Sequence, residues 1–202
     1  MNIIFNDYDG RDSYYEKIRG DYVVWLGTSG DKQTNKMHEL AHINLGTDVE
    51  EAREKIAIMV MKADILPKMI EKKKFDIVEM FFQAWNVLED ERVESFSPRL
   101  FKKHKTAMGK TKTEKDVKST PIEALLCARF NRDELIDWHV KSFIKKSRLA
   151  SKEKIYKLTE AYCRYYVVPF INEDPRIYYG SEWHSDKVLG TGIAGRIGKS
   201  YK

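Results

Sequence analysis

The stretch His38-Glu39-Leu40-Ala41-His42 decides how the first half of this chain is read. An α-helix rises about 1.5 Å per residue with about 3.6 residues per turn, so residues i and i+4 share a face and two imidazoles so placed can grip one ion. This is the ligand spacing of zinc hydrolases. Glu39, rotated roughly 100° from His38 about the helix axis, can reach a water held by such an ion. Two buried histidines satisfied by backbone carbonyls would produce the same string, so the flanking sequence has to choose.

Those flanks predict a helix over 32–45. Gly30 closes a turn, Asp31 is a good N-cap, and Gly46 falls where a left-handed C-terminal residue belongs. Thr34, Met37, Ala41 and Leu45 lie on the side of His38 and His42, so both rings are expected to face inward.

A working zinc site needs a third protein ligand and leaves a fourth position open. The segment Trp85-Asn86-Val87-Leu88-Glu89-Asp90-Glu91-Arg92-Val93-Glu94 offers one. Val78, Phe82, Trp85, Val93 and Phe96 predict an apolar stripe, with Glu89 in its middle, where an unpaired carboxylate is costly. A cation held by two histidines would pair it, as would Arg92 at i, i+3. Asn86, Asp90 and Glu94 fall toward the polar flank, which suits hydrogen bonds to the ligating histidines, with Asp90 an alternative ligand. Asp48 is a rival third ligand six residues beyond His42, although Asp48-Val49-Glu50-Glu51 also reads as a capping box.

Together, His38-Glu39-Leu40-Ala41-His42 and Asn86-Val87-Leu88-Glu89-Asp90-Glu91-Arg92-Val93-Glu94 resemble the gluzincin-type metallopeptidases of phages and of bacterial proteins associated with von Willebrand A domains. Those carry an active-site helix followed by an N-x-x-E-D-x-R-x-E-like helix. The resemblance spans about residues 20–100 and implies His38, His42 and Glu89 as metal ligands, Glu39 as general base, and a zincin-like fold. Lys36 and Asn44 depart from the uncharged and apolar residues usual at their positions.

With 202 residues, 42% of them hydrophobic, the chain can bury a core of its own. No apolar run reaches the roughly 18 residues of a membrane helix, and Met1 to Asn6 lacks the basic and apolar regions of a secretory signal. Cys127 and Cys163, both in apolar helical contexts, read as buried thiols. The expected location is the cytoplasm, or a virion assembled there.

The expected fold class is mainly α (α+β): short strands at Ile3 to Phe5 and Tyr22 to Leu26, the 32–45 helix, a helix from Val49 to Asp64, a break near Pro67, and a long helix from Phe75 to Glu94. Residues 1–98 then form a zincin-like metal-binding subdomain and 99–119 a basic loop. Residues 120–171 form a helical lobe and 172–202 an irregular basic tail, all within one compact domain. Thr120-Pro121-Ile122-Glu123 opens the lobe with a capping box, and helices are expected over 121–130, 132–147 and 151–168. Tyr156, Tyr162, Tyr165 and Tyr166 on the last of these read as core or groove wall.

The loop carries Lys102, Lys103, Lys105, Lys110, Lys112, Lys115 and Lys118, a solvated run or a contact for an acidic protein or nucleic acid. In the tail, Tyr178, Tyr179 and His184 are candidates to stabilise an oxyanion. The reading as a whole is zinc-dependent hydrolysis of a protein or peptide substrate, with water activated by zinc and Glu39. Zinc is preferred over iron, whose facial triad uses the same ligand types. The alternative is a non-catalytic metal-stabilised structural protein, or a nucleic-acid-binding one. The 36 basic residues are nearly matched by 31 acids, which argues against the latter.

Overall fold

β-Branched and aromatic residues near the N-terminus build a small sheet from β1 (Ile3–Asp7), β2 (Tyr14–Ile18) and β3 (Asp21–Leu26), in the order β1-β3-β2. β1 runs parallel to β3 and β2 antiparallel. β2 was not expected, because Glu16 and Lys17 break its apolar pattern. It forms because Arg19 and Gly20, with φ of 52° and 90°, make the two-residue turn whose twist matches a hairpin. The computed structural model describes residues 2–10, 12–28, 30–97, 99, 102, 120–130 and 138–172.

The helices are α1 (Lys32–Asn44), α2 (Val49–Lys62), α3 (Pro67–Ser95), α4 (Pro121–Arg129), α5 (Trp138–Ser147) and α6 (Lys152–Tyr162). A π-helical turn (Cys163–Val167) and the short α7 (Val168–Ile171) follow α6. The chain is therefore mainly helical, as its periodicity predicts. Asp31 caps α1 by accepting from Thr34 N, and Gly46 lies beyond its end at φ 69°. Both halves of the Thr120/Glu123 capping box are present on α4. The long helix begins at Pro67 rather than near Phe75, with the proline in its first turn where a missing N–H costs nothing.

The buried face of α3 keeps Trp85 and Val93 of the expected stripe, with Phe82 partly buried, but loses its two ends. Ile77, Phe81, Ala84, Trp85 and Leu88 are buried, spaced i, i+4, i+7, i+8 and i+11, whereas Val78 and Phe96 are 41% and 48% exposed. This face joins Ala52 and Ile56 of α2, Ile122 and Leu125 of α4, Val140 and Ile144 of α5, and Ile155 of α6 in one cluster. The helices expected in the metal-binding part and in the helical lobe thus share a core. Tyr162 and Tyr166 are stacked in it with ring centroids 4.8 Å apart, and Tyr162 donates to Pro121 O at 2.6 Å. Cys127 and Cys163 are buried free thiols. A second small cluster, Val24 and Leu26 of β3 with Ile43 of α1, seats α1 on the sheet. Among the described residues no helix is long and apolar enough to cross a membrane.

Candidate metal centre

Two pairs spaced i, i+4 face each other across α1 and α3: His38 and His42 on one, Asp90 and Glu94 on the other. The shared spacing puts each pair on one side of its helix, so helix packing alone brings four side chains together. His42 Nε2 lies 3.2 Å from His38 Nε2 and 3.2 Å from Asp90 Oδ1, and His38 Nε2 lies 3.7 Å from that oxygen. A point equidistant from these three atoms is about 2.0 Å from each, within the usual range of zinc bonds to imidazole nitrogen and carboxylate oxygen.

Neighbours determine which ring nitrogens carry protons. Thr47 Oγ1 donates its one proton to Glu89 Oε1 at 2.6 Å, so at 3.1 Å from His42 Nδ1 it accepts from that nitrogen. His38 Nδ1 lies 3.1 Å from Glu94 Oε1, a carboxylate oxygen with no proton to give. His42 Nδ1 is thereby an N–H, and its Nε2 faces the same point as His38 Nε2 and Asp90 Oδ1. These three ligand atoms lie close enough together to hold one metal ion, and two imidazoles with one carboxylate are a donor set that fits zinc.

Arg129, at the end of α4, supports the carboxylate side. It donates to Asp90 Oδ2 and to Glu94 Oε1, each at 2.7 Å, leaving Asp90 Oδ1 to face the imidazoles. Burial works against the Asp90 carboxylate, but Arg129 and the two histidines outweigh it and hold this group well below the usual carboxylate range. Burial likewise opposes a charged His38, yet Glu94, Asp90 and Glu39 raise its proton affinity above that of an ordinary histidine. Glu91, fully buried, pairs with Arg148 at 2.7 Å.

Glu39 is 6% exposed, and its charge acts on both His38 and Tyr15. It therefore lies within electrostatic reach of both side chains. Tyr15 of β2 has its ring 6.4 Å from that of His42 and donates to Thr47 O at 2.6 Å. Lys36 places its ammonium 4.0 Å from the centre of the Phe5 ring, which accounts for a charge at that position of α1.

The third carboxylate is where the structure differs from expectation. Glu89 does not meet the imidazoles. Its two oxygens take bonds of 2.6 and 2.7 Å from Arg92, and the first also takes the Thr47 hydroxyl. The step of about 100° between consecutive helical residues sends Glu89 toward the end of α1 and Asp90 toward the ring edges. Glu89 and Asp90 thus flank His42, one reaching its Nδ1 side through Thr47 and the other facing Nε2. Asp48 caps α2 by accepting from Glu51 N at 3.0 Å, while the Glu51 carboxylate pairs with Lys55 and Lys152. Glu94 stands beside His38 as expected, while Asn86 is exposed, with no bond to either imidazole among the described residues. Tyr178, Tyr179 and His184 lie outside the described residues, as does most of the Lys102 to Lys118 segment.

Comparison with known proteins returns no match, whether to a family model, a curated protein or a solved structure. Sequence reasoning missed Thr47, Tyr15 and Arg129. Of these only Arg129 left a trace, as the one charge in the buried last turn of a helix whose other charge, Glu123, serves its cap.

Proposed function

We propose that this chain is a zinc-dependent metallopeptidase in which His38, His42 and Asp90 hold the ion and Glu39 is the general base. One observation carries the reading: His38 Nε2, His42 Nε2 and Asp90 Oδ1, from two helices far apart in sequence, lie 3.2, 3.2 and 3.7 Å from one another. Zinc held by three protein ligands polarises both water and a peptide carbonyl. Glu39 takes a proton from the attacking water and returns it to the leaving amine. Glu94 and Thr47 orient the imidazoles, and Arg129 orients Asp90.

The resemblance of the two motifs to gluzincin-type peptidases supports the same reaction, with an aspartate taking the place of the glutamate that the resemblance implies. The test is Glu39→Gln, assayed for zinc content and for cleavage of an unfolded protein substrate such as casein. Zinc retained with cleavage lost supports the proposal. Full cleavage by Glu39→Gln refutes the assigned base. Bound zinc with no cleavage by the wild-type protein favours a structural metal site instead.

A further inference from the structure

We infer that Thr47 is a positioning residue of the metal centre, its hydroxyl linking the buried Glu89 carboxylate to His42 and so selecting the ring tautomer that binds metal. The inference rests on the metal-site reading above. It begins with Glu89, which is 1% exposed and must be paired. Arg92 supplies two of its bonds. A third comes from the Thr47 hydroxyl at 2.6 Å. A hydroxyl has one proton, and the carboxylate takes it, so the threonine oxygen can only accept from His42 Nδ1 at 3.1 Å. Arg92 Nη2, 3.5 Å from the same oxygen, is also a donor and cannot reverse this direction.

Thr47 is held on every side. Its N–H donates to His42 O at 3.0 Å, closing the turn that ends α1, and its carbonyl accepts from the Tyr15 hydroxyl at 2.6 Å. As a β-branched residue it also has few side-chain rotamers. One residue thus ties β2, α1 and α3 to a single imidazole edge. The two histidines are oriented differently: His38 by a carboxylate directly, His42 by a carboxylate acting through a neutral hydroxyl.

Thr47→Val keeps the shape of the side chain and removes its hydrogen bonds, while Thr47→Ser keeps the hydroxyl. Two measurements apply to each variant and to wild type: zinc affinity by competition with a chromophoric chelator, and the protonation of each ring nitrogen of His42 by long-range proton–nitrogen NMR of the metal-free protein. Wild type and Thr47→Ser should show Nε2 unprotonated. Thr47→Val should lose that single tautomer and bind zinc about 10- to 100-fold more weakly, the usual effect of removing a partner of a ligating histidine. Serine rescue separates the hydroxyl from a packing role.

Wild-type zinc binding with Thr47→Val unchanged in affinity and tautomer overturns the inference alone. A wild-type protein that takes up no zinc overturns the metal reading and the inference with it.

Discussion

Replacing Arg129 with methionine removes the guanidinium that serves both carboxylates of the site while keeping much of its apolar volume. The side chain is 3% exposed and donates to Asp90 Oδ2 and Glu94 Oε1 at 2.7 Å each, with Glu91 Oε2 3.7 Å from Nε. Removing one partner of a buried ion pair costs about 3–5 kcal/mol, because the remaining charge loses its compensation without regaining water. Against a total stability of about 5–15 kcal/mol that is a large fraction. At about 2–4 °C per kcal/mol for a chain of this size, the midpoint of thermal unfolding should fall by roughly 6–20 °C. Zinc should offset part of this, since a cation beside Asp90 replaces some of the lost positive charge. Zinc at a hundredfold excess over Kd would restore about 2.7 kcal/mol. Calorimetry of the metal-free and zinc-loaded variant measures both quantities. A midpoint within about 2 °C of wild type in the absence of metal would refute the reasoning, because it would mean the acids do not depend on Arg129.

Asp90→Asn should weaken zinc binding by at least about tenfold, whereas Asp48→Asn, which keeps a capping side chain on α2, should leave it unchanged; chelator competition separates the two. Zinc affinity should also begin to fall, as pH is lowered, above the ordinary histidine pKa of about 6.5: burial opposes a charged His38, but Glu94 and Asp90 outweigh it and raise its proton affinity, so protons displace metal from it while an ordinary histidine is still neutral. Affinity that stays flat until pH falls to about 6.5 contradicts the placement of His38 beside the two carboxylates. Thr120→Ala removes one half of the α4 capping box and should cost about 1 kcal/mol in urea unfolding with little change in slope. Since α4 carries Arg129, zinc affinity should weaken modestly in the same variant.

Much of the fold could be read from local signals because those signals act locally. Asp31, Gly46 and the Thr120/Glu123 pair mark helix ends through backbone hydrogen bonds that need no tertiary partner. His38 and His42 followed from helical periodicity in the same way. The third carboxylate did not. Glu89 and Asp90 are neighbours on α3, and which one faces α1 depends on helix phase. Trp85, Val93 and Glu89 are buried as the predicted stripe requires, but Ile77 and Phe81 are buried beside them in place of Val78. Arg92, three residues from Glu89, then takes that carboxylate, and Asp90 is left to the imidazoles. Tyr15 left no mark in the sequence because its role depends on β2, and a strand with Glu16 and Lys17 at its centre does not look like one; Thr47 left none because His42 and Glu89 meet it only once α1 packs on α3.

X-ray absorption at the zinc edge, on purified protein of known metal content, tests the account most directly. It expects one zinc per chain, bound by two imidazole nitrogens and carboxylate or water oxygen at about 2.0 Å, with the imidazole signal lost in His38→Ala and His42→Ala. A preparation reconstituted with zinc that retains none after dialysis, or one whose zinc is bound by sulfur or shows no histidine scattering, would contradict it.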